Sequence, residues 1–258
     1  MPTNILMTNE QVLTSAINIG EQLLINGGES SRVEDTIGRI CSAYEMLQTH
    51  TFCIASCIIV SVQTADGEWL TQTRRILNYG TNMHKLDRLN DLSRTICRTP
   101  MSYEEILQKY NDIVTEKVYP FSVQLLIAAM IAASFTIFFG GKFPDAFAAL
   151  FIGAFLKLTL NGLQALKMKP IFYNIICSIA SGLACIFSVN VGIGKNLDAI
   201  MIGNIMLLIP GVLLTNSFRD FISGDMITGI LHFSEAIITA ICVAGGFIIA
   251  IILTGGRL

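Results

Sequence analysis

Two ionisable side chains lie inside an apolar run near the end of the sequence. Glu235 falls within the hydrophobic stretch 229–254, and His232 precedes it by about one helical turn on the same predicted face. Charged groups are costly inside a bilayer, so ionisable residues in a membrane-spanning helix usually serve a function. A carboxyl group in such a place could take up and release a proton, which predicts proton coupling. The alternative is that the span starts later and leaves Glu235 at the membrane interface.

A second candidate lies in the apolar stretch 197–215, where Asn204 is followed by Pro210 and Gly211. Proline lacks a backbone donor and clashes with the preceding helical turn, so a helix break is predicted here. Backbone groups freed at membrane depth are tolerated where they line a cavity or a protein contact. The N-terminal end of the second half-helix would favour a carboxylate. A kink used only for packing explains the same residues, and the pattern does not separate the two.

Polar residues also cluster between the last two apolar stretches. The candidates are Asn216, Arg219, Asp220 and Asp225. With the residues around the break and with His232 and Glu235, they form the predicted substrate-binding set. An ordinary solvated loop is the alternative interpretation.

The N-terminal part of the chain contains a further polar motif directly after two glycines. Its members are Glu29, Ser30, Arg32 and Glu34. A loop-to-helix junction can bind anions through its free backbone N–H groups. Helix capping explains the motif as well, because Ser31 and Glu34 have the spacing of a capping box and an Arg–Glu pair could complete it. The spacing alone favours capping.

Other kinds of chemistry find little support in the sequence. No G-x-S-x-G, Walker or H-E-x-x-H motif occurs, so no catalytic residue is predicted. Seven cysteines are scattered, and no histidine accompanies the one close pair, Cys53 and Cys57, so neither a metal site nor a cofactor is predicted. The formal net charge of −2 gives no reason to expect nucleic-acid binding.

The charged residues are divided unevenly along the chain. Residues 1–120 hold 24 of them and residues 121–258 hold 12. The first part therefore has the composition of a soluble domain, which we place at residues 1–118. Hydrophobic periodicity predicts the order ααββαα, with helices at 9–25, 31–47, 82–98 and 102–117 and strands at 51–63 and 69–77.

The second part, residues 119–258, has too little charge to cover a water-facing surface. Five apolar stretches approach the roughly 20 residues that a membrane-spanning helix needs: 121–139, 144–161, 171–190, 197–215 and 229–254. The predicted fold is an α-helical polytopic membrane protein with an N-terminal soluble α+β domain. The start of the sequence lacks a signal peptide, so that domain is expected in the cytoplasm. The loops that would then face the cytoplasm are modestly enriched in lysine and arginine, which agrees with this orientation.

An odd number of spans suggests one half of a transporter built from two inverted repeats, with the other half on another chain. Two stretches of the sequence strengthen this interpretation. The first comprises residues 27–34 with Thr36, Ile37, Arg39 and Ile40. The second comprises Gly203, residues 206–211, Asn216, Arg219, Asp220, Gly224, Asp225, Gly229, Glu235 and Ala236. Together with the segment 74–94, these stretches resemble the threonine/serine exporter family.

The resemblance implies the short form of this family, which works with a separate, smaller membrane subunit. It further implies a secondary exporter of threonine and serine in the plasma membrane. Relatives of the split type are linked to succinate-like dicarboxylates, so a dicarboxylate exporter subunit is an alternative. Three further alternatives stay open. The protein could be a membrane-anchored hydrolase that uses Glu29, Arg32 and Glu34, or a channel or regulatory scaffold, and it could form a homo-oligomer.

Overall fold

The computed structural model describes residues 7–77, 80–116 and 119–255. The chain forms two compact units, and each is interrupted in sequence by part of the other. The first unit consists of Met1–Lys117 and Val212–Phe233, and the second of Val118–Gly211 and Ser234–Leu258.

The N-terminal part of the first unit contains four helices: α1 (Asn9–Ile25), α2 (Ser30–Ala43), α3 (Met83–Arg98) and α4 (Tyr103–Thr115). Local chemistry explains two of their starts. Thr8 and Gln11 form a capping box at α1, and Ser102 and Glu105 form another at α4. Gly27, at φ +97°, then allows the sharp turn from α1 towards α2. The predicted positions of these helices are thus close to the observed ones.

Three strands follow α2: β1 (Gln48–Ile54), β2 (Cys57–Gln63) and β3 (Trp69–Arg75). They form an antiparallel sheet in the order β1-β2-β3. The predicted single strand over 51–63 is wrong, because the chain reverses at Ala55 and Ser56. Neither residue belongs to the Gly, Asn and Asp group that marks tight hairpins, so the apolar pattern concealed the turn. The predicted turn at Asp66 and Gly67 does join β2 to β3, with Gly67 at φ +85°.

The hydrophobic core of the first unit lies between its helices and one face of the sheet. In β2, Ile58, Val60 and Val62 are fully buried and alternate with more exposed residues, as expected for a strand with one face in the core. Apolar residues from α1 and α2 complete this core: Leu13, Ile17, Leu23, Val33, Ile37 and Ile40.

The first unit also includes α9 (Gly211–Ser223) and the start of α10 (Met226–Leu253). Gly224, at φ +89°, lies in the short connection between them and permits a conformation that other residues rarely adopt. This connection places Asp225 immediately before α10.

The second unit contains α5 (Phe121–Phe138), α6 (Phe143–Ala165), α7 (Pro170–Asn190), α8 (Leu197–Ile205) and the remainder of α10. Within the described ranges, four helices are long and apolar enough to cross a membrane: α5, α6, α7 and α10. The fourth predicted span, 197–215, is not one continuous helix. Residues 206–210 separate α8 from α9, because Pro210 cannot donate the backbone hydrogen bond that a helix requires.

Small residues allow α5 and α8 to approach closely. A Cβ added at Gly203 would overlap the Thr136 hydroxyl and lie 2.7 Å from the Ala132 carbonyl oxygen. Small residues are common at helix contacts in membranes for this reason.

We expect Gly203→Ala to destabilise the protein by about 2 kcal/mol, because α5 and α8 would have to separate. Thermal unfolding in detergent measures the effect. Gly162→Ala in α6 is the matched control, since a Cβ there would meet nothing within 4 Å. Equal melting temperatures for the two variants would contradict the close α5–α8 packing.

Candidate functional site

Side chains from distant parts of the sequence meet within the first unit and form a polar cluster. We define this polar cluster as Glu34 of α2, Cys53 of β1, Asp220 of α9, Asp225 before α10 and His232 of α10. Contacts and mutual charge effects connect all five.

The most buried member of the polar cluster is Asp220, whose side chain is 1 % exposed. Its Oδ2 lies 2.9 Å from Nδ1 of His232, which is also buried. Its Oδ1 accepts no hydrogen bond from any described residue. Buried polar atoms in native proteins nearly always have a partner, so this oxygen needs a physical explanation.

Glu34 connects α2 to the sheet. The backbone N–H of Cys53 donates to its Oε1 at 2.7 Å. The predicted capping box is therefore wrong: Glu29 is the N-cap of α2, makes no side-chain cap bond, and leaves Glu34 free to reach β1. Burial raises the pKa of Glu34, and the charge of Asp225 adds to this shift.

Cys53 also lies in the polar cluster, which the sequence did not predict. Burial, followed by the charge of Glu34, raises the pKa of its thiol to about 12. The thiol therefore stays protonated at neutral pH and is a poor nucleophile. Its apolar strand context indicated core packing, and the 3 % exposure of Cys53 agrees with that interpretation.

Asp225 lies between α9 and α10 and contacts α2. It accepts a hydrogen bond from the backbone N–H of Ser31, whereas its Oδ2 has no hydrogen-bond partner among the described residues. Burial raises the pKa of Asp225, and the neighbouring charge of Asp220 raises it further. The cluster thus concentrates three carboxyl groups around one imidazole.

Three further contacts join the N-terminal motif to α9 and α10. Arg219 forms an ion pair with Glu29. Asn216 Nδ2 donates to the Gly27 carbonyl at 3.2 Å, and Ser30 Oγ donates to Thr228 Oγ1 at 3.3 Å. The partners lie 189 to 198 residues apart in the sequence. The sequence suggested both groups as candidates but not that they meet, and nothing singled out Thr228.

Arg32 is the member of the N-terminal motif that lies elsewhere. It is exposed and lines a solvent-open cavity of about 470 Å³ on the side of α2 that faces α3, together with Arg39, Arg94 and Arg98. Glu29 pairs with Arg219 instead, and Glu34 binds the Cys53 N–H. Glu29 and Glu34 of the hydrolase alternative therefore have separate partners, and Arg32 lines the cavity.

The break residues belong to the second unit. Asn204 is fully buried, and its Nδ2 donates to the Ile200 carbonyl at 2.9 Å. Its Oδ1 has no hydrogen-bond partner among the described residues. The break follows at 206–210, and Gly211 begins α9. The second unit therefore contains the buried amide oxygen of Asn204 just before the helix break.

Glu235 lies in α10, is partly buried and belongs to the second unit, whereas His232 belongs to the first. His232 is bonded to Asp220. Among the described residues, no group of three or more His, Cys, Asp or Glu side chains has an arrangement that could hold a metal ion. The structure thus divides the predicted substrate-binding set between two units.

The long apolar helices of the second unit define a polytopic helical membrane protein. The chain belongs to the threonine/serine exporter family. The sequence model of this family, described as "Putative threonine/serine exporter", matches residues 14–254.

Curated relatives are distant in sequence but extensive in coverage. The chain is 24 % identical over 236 residues to "Probable succinate transporter subunit YjjP" of Klebsiella aerogenes, covering 91 % of each chain. It is 24 % identical over 236 residues to the "Threonine/serine exporter" of Corynebacterium glutamicum, covering 88 % of this chain and 48 % of the relative. The YjjP protein of Escherichia coli is 23 % identical, with 93 % and 94 % covered. No solved structure matches. The chain thus spans nearly all of the succinate transporter subunits and about half of the Corynebacterium exporter.

Proposed function

We propose that the protein is one subunit of a secondary exporter of small hydrophilic metabolites that carry a carboxylate, with threonine and serine as the principal substrates. The observation that carries this proposal is the family match over residues 14–254. We place the exporter in the plasma membrane with the first unit in the cytoplasm, because the loops that would share that side are modestly enriched in lysine and arginine.

The charges of the candidate residues suggest which of them bind the substrate carboxylate. Three carboxyl groups in the polar cluster would repel a substrate carboxylate. We therefore assign recognition of the substrate carboxylate to the break in the second unit, at Pro210 and Gly211, because the N-terminal end of α9 favours negative charge. The buried Oδ1 of Asn204 is an acceptor and would suit an ammonium or hydroxyl group of the substrate. Asn216 and Arg219 are further candidates, although Asn216 binds the Gly27 carbonyl and Arg219 pairs with Glu29 in this structure.

Proton movement is the coupling reaction that we propose for this exporter. Glu235 is a candidate because it is an ionisable residue within α10, one of the four long apolar helices. Asp220, Asp225 and His232 are better suited to a cation than to a substrate carboxylate, because of the negative charge around them.

A second substrate class, succinate-like dicarboxylates, is favoured by a specific observation. The relatives that this chain matches from end to end have names that refer to succinate transport and to a subunit. The longer exporters have about twice the matched length. We infer that a second membrane subunit, or a second copy of this chain, supplies the other half of the transport path.

Export from intact cells tests the proposed function and separates the two substrate classes. Cells lacking the gene and cells carrying it on a plasmid are loaded with threonine, serine or succinate, and release into the medium is followed. Loss of threonine and serine release, restored by the plasmid, is expected. Loss of succinate release alone would favour the dicarboxylate alternative, and unchanged release of all three would contradict the exporter proposal.

A further inference from the structure

Two carboxylate oxygens of the polar cluster lack hydrogen-bond donors. Asp220 Oδ1 and Asp225 Oδ2 are both buried, and neither accepts a hydrogen bond from a described residue. Asp220 is 99 % buried, so bulk water does not reach it in this conformation. An unsatisfied buried acceptor is destabilising, and more so when it carries charge. Two such oxygens would therefore be retained only if a bound cation or a proton offsets their negative charge.

The polar cluster around Asp225 contains more acidic than basic groups. α9 contributes Asp220, α2 contributes Glu34, β1 contributes the protonated thiol of Cys53, and α10 contributes His232. Arg219, the nearest basic residue in the sequence, is engaged with Glu29. Carboxylates that share a buried site cannot all ionise without a large cost. A proton relieves this cost and turns one acceptor into a donor.

Asp225 is the member of the polar cluster best placed to exchange this proton. Asp220 is hydrogen-bonded to His232, and Glu34 accepts a hydrogen bond from the backbone N–H of Cys53. Asp225 is only partly buried, and one of its oxygens is without a partner among the described residues. Burial and the charge of Asp220 raise the pKa of Asp225, which agrees with its geometry.

The position of Asp225 also gives its proton a mechanical consequence. The carboxyl group accepts a hydrogen bond from Ser31 in α2 and lies at the junction of α9 and α10. A hydrogen bond to an ionised carboxylate is stronger than one to a neutral acid. Protonation would weaken the link to α2 and at the same time reduce repulsion from Asp220.

We propose that Asp225 is a proton-binding site in the first unit and that the proton it exchanges is coupled to export. The second half of this statement rests on the proposed function. This site is distinct from Glu235, which belongs to the second unit.

The first experiment follows thermal unfolding of the purified full chain and of Asp225→Asn between about pH 3 and about pH 8, a range that begins below the ordinary Asp pKa. A raised folded-state pKa means that stability is present at low pH and is lost as the pH rises through that pKa. Asn keeps the acceptor for Ser31 but cannot ionise. The two proteins should therefore melt alike below the ordinary Asp pKa of about 3.9, and the variant should melt a few degrees higher once the pH exceeds the raised folded-state pKa.

Asp35→Asn is the matched control, because Asp35 is an exposed carboxylate of α2 that pairs with Arg39. This variant should follow the wild-type melting profile across the pH range. If Asp225→Asn also followed the wild-type profile, the proton-binding site would be refuted. This measurement needs no transport, so its outcome is independent of the proposed function.

The second experiment measures the coupling in cells at several external pH values. The pH dependence of export should be flattened in Asp225→Asn, with Glu235→Gln tested beside it as the variant of the other candidate acid. An unchanged pH dependence in Asp225→Asn would overturn the coupling role. Absence of export by the wild type at every pH would instead count against the proposed function.

Discussion

His232→Ala is expected to destabilise the purified protein by about 3 kcal/mol, because it removes the donor that faces the buried carboxylate of Asp220. Asp220 would then have two buried oxygens without a described partner instead of one. Buried charges are costly when one partner of a pair is deleted, even where the intact pair contributes little net stability. Unfolding in detergent, followed by heat and by denaturant, measures the loss.

Two further variants separate this cause from a simple loss of volume. His232→Asn can place an amide N–H near the position of Nδ1, so it should recover most of the stability. His232→Ala combined with Asp220→Asn removes the carboxylate charge as well and should be more stable than His232→Ala alone. If all three variants lost the same stability, the Asp220–His232 interaction would not be the cause.

Pro210→Ala is expected to reduce export by about tenfold or more while the protein still folds. Proline disfavours a helix interior by about 3 kcal/mol relative to alanine. Its removal would favour a continuous helix across residues 206–210, and about 1.4 kcal/mol suffices for a tenfold change in a conformational population. If the break forms the substrate site, a continuous helix would remove the N-terminal end of α9 from that site. The initial rate of threonine release measures the effect.

The matched control is Pro170→Ala, because Pro170 is the first residue of α7. At that position proline is missing no helical hydrogen bond, so its replacement should leave export nearly unchanged. Equal export by the two variants, at equal amounts in the membrane, would contradict a role for the break. A loss in both would indicate a general effect of removing proline.

Local signals in the sequence predicted much of the fold. The periodicity of residues 9–25 matches α1, and the apolar runs around Phe121 and Pro170 match α5 and α7. Pro210 predicted a disrupted helix, and the structure has one. These features depend on neighbouring residues, so periodicity and backbone chemistry suffice to find them.

Features that depend on distant residues were not predictable in this way. Ser31 and Glu34 have the spacing of a capping box, but the Cys53 N–H competes for Glu34 and is available only once the sheet has formed. The approach of Asp220 to the α2 region likewise depends on tertiary structure. The reversal at Ala55 and Ser56 escaped detection for another reason, since neither residue is Gly, Asn or Asp and apolar strand residues flank them on both sides.

The discontinuity of the first unit has a consequence for biosynthesis. Residues up to Glu116 leave the ribosome long before α9, and the helices α5 to α8 are translated in between. Gly27, Glu29 and Ser30 cannot reach their final partners until that later segment has been made. Contacts at such separations close slowly and expose partly formed surfaces to aggregation. We therefore expect the nascent N-terminal region to depend on chaperones until translation has passed Phe233, and any expression fragment that ends before Val212 to lack these contacts.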